Sequence, residues 1–306
     1  MDNDQVEHVT GPLAVADAEA VERLARAAEH VDGRPALSEQ PLLRLTQDDA
    51  PVHHLLVRAE DDLAGYAQLD LGAPGAASVE VVVHPFARRH GVGTTLVAVA
   101  RDTARTAGAD GIRVWAEGGD PAAQGLAARL GLEPVRELVL MSRDLTSGTL
   151  PTGPVPLPDG VAVRRFVVGQ DEDALLRVNA RAFDWHPEQG RMSLADLRAR
   201  QTEPWFDAAD ILLLEEGDAL VAFVWLKLVQ GDDAGELYVV AVDPDAQGRG
   251  LGTVTTALAL RHLADAGLAQ ATLWTEADNV RAVATYGRAG FTTASSRVQL
   301  GDVPPA

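Results

Sequence analysis

The sequence predicts a tandem α/β protein, two copies of one fold joined by a proline-rich segment. Three observations predict it. The 306 residues suit two domains of ordinary size, and an apolar fraction of 46% is enough for packed cores. The stretch TSGTLPTGPVPLPDG, Thr146 to Gly160, carries Pro151, Pro154, Pro156 and Pro158, so it suits neither helix nor inner strand and reads as an extended linker. Across that break the halves align without gaps at an offset of 159 positions: VVVHPFARRHGVGTTL (Val81 to Leu96) lies over VAVDPDAQGRGLGTVT (Val240 to Thr255), and WAEGGDPAAQGLAARLGL (Trp115 to Leu132) over WTEADNVRAVATYGRAGF (Trp274 to Phe291). Two separated blocks sharing one offset indicate duplication, and the period is far too long for a solenoid. The expected boundaries are 1–145, a linker at 146–160, and 161–306.

Each half reads as alternating strands and helices. Asp17 to His30 carries Val21, Leu24, Ala25 and Ala28 at helical spacing. Leu55 to Val57 and Leu63 to Leu71 read as strands about a turn at Asp61–Asp62, and Val79 to Val83 as a third strand. Gly93 to Ala107 is a helix, Ile112 to Ala116 a strand, and Pro121 to Leu130 a helix stopped by Gly131. The second half repeats the pattern: strands at 211–215, 220–229 and 236–242, a helix at 252–266, a strand at 271–275, and a helix at 279–289 ended by Gly290.

Composition narrows the function. A net charge of −19 repels phosphate backbones and anionic lipid, so nucleic acid and membrane surfaces are not expected partners. The absence of cysteine excludes disulfides, thiolate metal sites and a cysteine nucleophile. No leader or membrane-spanning run is visible, and a soluble, cytoplasmic, monomeric protein is the expectation. His84, His90 and His186 lack metal-ligand spacing, so no metal is expected.

The repeated chemical feature is strand, Pro, glycine-bearing turn, helix: VVAVDPDAQGRGLGT in the second half, EVVVHPFARRHGVGT in the first. It presents a helix N-terminus, where free amides and the helix dipole suit a pyrophosphate. Gly250 and Gly252 allow close backbone approach and positive φ, while Arg249, Arg88 and Arg89 add local positive charge. A third glycine at dinucleotide-fold spacing is missing, and no Gly-Lys-Ser/Thr follows.

Gln247-x-x-Gly250-x-Gly252, preceded by Val-Asp-Pro, resembles the acetyl-CoA motif of the GNAT superfamily of N-acetyltransferases. Arg88-x-x-Gly91-x-Gly93 is the same motif beginning with Arg, and Asn279 to Phe291 resembles the superfamily's next motif, an Asn at a helix start, an aromatic, then Gly-Phe. The resemblance implies two GNAT-like domains, each a mixed, mostly antiparallel sheet flanked by helices. It implies that the backbone of Val240, Ala241 and Val242 pairs with the pantetheine arm as an added strand would. It implies that Gln247, Gly248, Arg249, Gly250, Leu251, Gly252 and Thr253 cradle the pyrophosphate, with Asn279, Val280, Arg281, Ala282, Val283 and Ala284 completing the cofactor site. The first-half counterparts are Val81, Val82, Val83, Arg88, Arg89, His90, Gly91, Val92, Gly93 and Thr94. NARAFDWHPEQGRMS (Asn179 to Ser193) and the Glu236 leading ELYVVAVDPDAQGRGLG are closer still to tandem members that acetylate the cysteinyl amine of a cysteine–glucosamine–inositol pseudo-disaccharide.

Acetyl transfer to an amine needs a base for the ammonium, polarisation of the thioester carbonyl and an acid for the leaving thiolate. Glu236 opens the strand before the cofactor turn, where two-residue alternation gives it a face with Tyr238, Val240 and Val242. Tyr286 lies inside the helix after Asn279. The resemblance implies base and acid for these two. Singly, a strand-end Glu is a solvated group and a helix Tyr a packing residue; the repeat separates them, because Glu236 faces Ala77 and Tyr286 faces Ala127. The first half is therefore expected to keep a cofactor turn without proton-transfer groups.

Lys227, the only lysine of the chain, shares a strand face with Phe223, Trp225 and Val229 and needs solvent or a ligand for its charge. The resemblance makes Lys227, Glu39 and Glu188 substrate contacts beside Glu236, the substrate lying between the domains. Trp274 is either a pocket wall or, like its repeat partner Trp115, a core residue. Two other readings stay open: another acceptor, such as an antibiotic amine or a protein N-terminus, and an acyl-CoA-binding regulator without turnover.

Overall fold

The computed structural model describes residues 6–47, 51–59, 62–72, 75–147, 153–186 and 189–302. They form two compact units, Met1–Glu137 with Arg297–Ala306, and Leu138–Ser296.

The first unit contains β1 (Val6–Thr10), α1 (Val15–Asp32), α2 (Glu39–Leu43), β2 (Val52–Ala59), β3 (Asp62–Asp70), β4 (Ala77–Val83), α3 (Val92–Thr106), β5 (Ile112–Glu117), α4 (Pro121–Leu130) and the start of β6 (Leu132–Asp144). The second contains the rest of β6, then β7 (Val161–Arg165), α5 (Glu172–Ala182), α6 (Leu194–Gln201), β8 (Ile211–Glu216), β9 (Ala219–Leu228), β10 (Ala234–Val242), α7 (Leu251–Asp265), β11 (Gln270–Glu276), α8 (Val280–Arg288) and the start of β12 (Thr292–Asp302). Pairing is antiparallel except for β4 with β5 and β10 with β11, which run parallel. This is the expected mixed, mostly antiparallel sheet in each copy.

The division of the chain differs from the expected one. The proline-rich segment at 146–160 does not mark the border, and 161–306 is not one unit. Instead β6 leaves the first unit at residue 137, and residues 297–306 return to it. In the second unit Leu138 to Asp144 of β6 pairs with Glu276 to Gln270 of β11. In the first, Arg297 to Gly301 of β12 pairs with Glu117 to Arg113 of β5. The physical reason is the sheet edge: β5 and β11 would each expose a row of backbone donors and acceptors, and each is covered by a strand from the other half of the chain. Side chains fasten the returning strand. Asp302 accepts from the Ile112 N–H at 3.0 Å and pairs with Arg101 at 2.9 Å, and Arg297 lies 3.2 Å from Glu117. Of the linker, residues 148–152 lie outside the described residues, and 153–160 form neither helix nor strand.

Amphipathic periodicity explains the flanking helices. α1 buries Ala18, Val21, Leu24, Ala25 and Ala28 on β3 and β4 and ends at Gly33, whose φ of 67° suits glycine. α3 buries Leu96, Val97, Ala100 and Ala104 on the opposite face of that sheet. In the second unit α7 presents Ala259, Leu260 and Leu263 to one face, while Leu175, Val178 and Leu197 of α5 and α6 cover the other. α6 opens with a capping box between Ser193 and Asp196. Among the described residues no helix is long and apolar enough to cross a membrane.

The first unit also buries a polar chain. Gln68 donates to the Tyr66 hydroxyl (3.0 Å) and to the Pro41 carbonyl (2.9 Å), and the Tyr66 hydroxyl lies 2.7 Å from His54 Nδ1. Desolvation pushes His54 down to about 4, against the opposing pull of the Gly11 backbone, and neighbouring His53 is lowered as well, again mainly by desolvation. A histidine kept neutral in the fold charges on unfolding. Its stabilisation is therefore full above the ordinary histidine value and is lost as pH falls from about 6.5 toward 4. Between those limits unfolding should become easier by about 2–3 kcal/mol. Calorimetry of the full chain at pH 7.5, 6 and 5 checks this, with His54→Gln expected to flatten the dependence. An equal slope in both proteins would refute it.

Candidate active site

The candidate site begins where parallel strands part. In the second unit β10 pairs with β11 only from Ala234 to Glu236, against Gln270 to Thr272. Beyond that β10 continues to Val242 along β9, and β11 to Glu276 along β6. The sheet thus opens at Glu236, and the β11-facing backbone edge of Val240, Ala241 and Val242 lies along the opening. The first unit repeats this: β4 pairs with β5 from Ala77 to Val79 only, leaving Val81, Val82 and Val83 along the equivalent opening.

The glycine turn follows. Asp243 caps a short 3-10 turn by accepting from the Asp245 N–H at 3.0 Å, and Gln247 is extended. Positive φ falls at Gly248 (80°) and Gly250 (81°), not at Gly252, which lies in the first turn of α7. Among the described residues, apart from the adjoining chain and the helix's own backbone, nothing lies within 4 Å of where a Gly252 side chain would begin, so what glycine gives there is open space above the helix start. Gly250 is the N-cap of α7, whose leading amides point out of the helix. In the first unit Gly91 takes the cap role at φ 89°, but Arg89 occupies the Gly248 position at φ 67°, a conformation that an L side chain rarely adopts. Arg249 and Arg88 are engaged with carboxylates. Arg249 holds Glu216 through two 2.8 Å hydrogen bonds, and Arg88 holds Asp32 at 2.7 and 2.8 Å while donating to the Val83 carbonyl. The amide-lined turn, more than these charges, is the anion-seeking element. Asn279 caps α8, its side chain accepting from the Ala282 N–H at 3.1 Å, and Arg281 reaches toward Gln247 at 3.5 Å. Thr253 and Val254 donate back to the Gly250 carbonyl, and Val283 to that of Asn279.

The expected face of Glu236 needs correction. Glu236 lies opposite Lys227, Leu237 opposite Leu226, and Val239 opposite Trp225, so a β-bulge at Tyr238 shifts the register. Leu237 joins the core under α7. Glu236 and Tyr238 therefore point to the α5–α6 side, together with Val239 and Ala241 beyond the bulge. Val240 and Val242 turn to the α7 side. Strict alternation put Glu236, Val240 and Val242 on one face, and the extra residue reverses the parity. In the first unit β4 runs from Ser78 to Val83 against β3 without a bulge, and Ala77 packs under α3. The copies thus differ in backbone register as well as in the Glu and Tyr.

Around Glu236 the α5–α6 face carries a charged and aromatic cluster. Lys227 Nζ sits 4.7 Å from the Trp205 ring centre and 5.7 Å from that of Tyr238. Arg200, buried on α6, donates from Nε to the Tyr238 hydroxyl at 2.6 Å. Trp274 shares this face from β11, since Ala271 and Leu273 point to the α7 core, and it is 37% exposed, which decides against a core role. Beside it are Glu276 and His186, 3.6 Å apart. Trp205, Arg200, His186 and Glu276 went unassigned in the sequence; only the run PWF in an aperiodic stretch hints at Trp205. The first-unit equivalent of Lys227 is Gln68, consumed by the buried polar chain described above.

Tyr286 stands on the other side. It packs from α8 onto the α7 core, edge-on to Phe291 at 5.9 Å, and burial pushes its phenol up to about 12. It thus stays protonated through the neutral range. Glu236 points to the α5–α6 side of the sheet, and the ring of Tyr286 packs on the α7 side. Ala127, the repeat partner of Tyr286, is simply buried in the α3 core. Glu39 is the first residue of α2 in the first unit, and Glu188 lies outside the described residues.

The sequence profile of the Acetyltransferase (GNAT) family matches twice, over residues 19–132 and 179–291. A mycothiol acetyltransferase of Sanguibacter keddieii is 53% identical over 308 residues, covering 98% of both chains. The chain belongs to the GNAT acetyltransferases, and within them to the mycothiol acetyltransferase family. Another family member, from Cellulomonas flavigena, is 49% identical over 97% of this chain and 88% of its own. Among solved structures, a tandem GNAT protein from the clavulanic acid biosynthesis pathway superposes with a TM-score of 0.72 at 21% identity, covering 98% and 99% of the two chains. A GNAT structure from Sphaerobacter thermophilus gives 0.67 at 23%. At those identities the likeness concerns the fold alone. As a member of the mycothiol acetyltransferase family, the chain is an acetyltransferase of a family that draws on acetyl-CoA.

Proposed function

We propose that the second unit transfers acetyl from acetyl-CoA to the cysteinyl amine of a cysteine–glucosamine–inositol pseudo-disaccharide, with Glu236 as base and Tyr286 as acid. The observation that carries this is the opening beside Glu236, with a carboxylate on the α5–α6 side of the sheet and, packed on the α7 side, a phenol that burial keeps protonated. The residues present fit the co-substrate: an unpaired strand edge at Val240–Val242, a glycine cap with two left-handed positions, and open space at Gly252. When bound, acetyl-CoA supplies the acetyl group as an activated thioester. Glu236 takes one proton from the ammonium, directly or through water, and the neutral nitrogen then bonds to the carbonyl carbon; the second proton leaves the nitrogen to solvent as the tetrahedral intermediate collapses, and Tyr286 regains from solvent the proton it gives to sulfur. Backbone N–H groups of β10 on the edge that faces the opening polarise the carbonyl oxygen. Tyr286 gives its proton to the sulfur as the C–S bond breaks.

Lys227 and Trp274 are proposed to bind the sugar and inositol end, because both lie on the Glu236 face. Glu39 and Glu188 remain substrate-contact proposals carried by the resemblance. In the first unit, the missing bulge and missing Glu and Tyr support a copy that does not turn over.

A panel of amines tests the acceptor. The full chain with acetyl-CoA is given the cysteinyl pseudo-disaccharide, the same compound without cysteine, an aminoglycoside and a peptide N-terminus, and products are read by mass spectrometry. The cysteinyl compound should exceed the others in kcat/KM by about a hundredfold or more, in line with sites built to pair specific polar groups. Comparable rates across the panel would support a broader amine acetyltransferase. Tight acetyl-CoA binding with no turnover on any amine would support a sensor.

A further inference from the structure

We infer that His186 and Glu276 form a positioning pair that holds the acceptor side of the opening to its proper width, an inference that rests on the proposed acceptor face of the second unit. Glu276 ends β11 on the lip opposite β10, beyond the point where the two strands stop pairing. It is buried to 7% exposure, which a carboxylate tolerates only with partners. His186 Nε2 lies 3.6 Å from its Oε1, a distance of ion-pair range rather than a hydrogen bond. The imidazole is oriented from behind: Nδ1 accepts the Gln189 N–H at 2.9 Å, so the neutral ring carries its proton on Nε2, toward Glu276. Phe183 and Trp185 brace the ring edge-on at 6.3 and 5.4 Å.

Each end of the pair is tied to a rigid element. Buried Asn179 on α5 donates to the Gln189 carbonyl at 2.6 Å and accepts from the Gln189 side chain at 3.0 Å. On the other end the Glu276 carbonyl accepts the N–H of Asn279, the residue that caps α8. The pair therefore bridges the segment after α5 and the lip carrying Trp274, two boundaries of the face where the acceptor amine would sit. Neither residue is placed to touch the thioester, so the effect is on acceptor binding and not on chemistry.

Two substitutions of His186 separate this role from plain loop support. His186→Gln keeps an N–H donor near the Nε2 position, and His186→Asn keeps only an acceptor near Nδ1 for the Gln189 N–H. The Asn variant should raise KM for the cysteinyl acceptor about tenfold, with kcat and the acetyl-CoA KM within about threefold, whereas the Gln variant stays near the parent. Deuterium exchange at residues 274–279 should quicken in the Asn variant only. If both variants behave alike, or the acetyl-CoA KM moves as far as the acceptor KM, the inference is overturned. Exchange does not depend on the acceptor's identity, so it judges the pair even if the panel refutes the proposed substrate.

Discussion

Replacing Glu236 with glutamine should lower kcat by about 10²–10⁴, the range expected for loss of a positioned base, while acetyl-CoA affinity stays within about threefold. The two effects separate because Glu236 and the cofactor turn occupy different parts of the site. Glu236 points to the α5–α6 side, ahead of the bulge, whereas the glycine cap opens α7 on the opposite face. Glutamine keeps the volume beside Lys227, its cross-strand neighbour, so that pocket is not emptied. Isothermal titration with acetyl-CoA and steady-state kinetics on the cysteinyl acceptor read the two halves of the prediction. Undiminished turnover would remove Glu236 as the base.

Tyr286→Phe is the second large expectation. It deletes one oxygen and keeps the ring that packs edge-on to Phe291 in the α7 core, so stability should change little. kcat should fall by about 10², near the lower end of the range for general acid catalysis, with acceptor and acetyl-CoA KM nearly constant. With its phenol held at about 12 by burial, Tyr286 stays protonated well above neutral pH, and the parent enzyme should show no alkaline loss of kcat from this group below pH 10. A parent profile falling near pH 8–9 through Tyr286, or an unimpaired Phe variant, would assign the leaving-group proton elsewhere.

Much of this was legible in the primary structure. The helices at Asp17–His30, Gly93–Ala107 and Gly252–Ala266 and the strands between them sit within a few residues of their places, since each carries a one-sided apolar repeat that any packed layer would use. The strands β1, β6, β7 and β12 and the helices α2, α5 and α6 had no such reading. β12 shows the reason: TTASSRVQLGD has little apolar alternation, and its strand character comes from completing β5 through Arg297 to Gly301. An edge can be completed by any extended segment, so the completing segment need not advertise itself.

Residue type and separation were enough to read the duplication, the glycine cap with the same spacing in both copies, and the Glu and Tyr present in one copy only. Tertiary structure alone decided which face Glu236 uses, which strand completes each sheet, and which side chains gather around Lys227. A bulge is a mismatch between two strands, an exchange is a choice of partner, and the Trp205, Arg200, His186 and Glu276 group comes from three segments: α6 with the turn after it, the bend after α5, and the end of β11. Each is a relation between distant segments, and local periodicity carries no record of it.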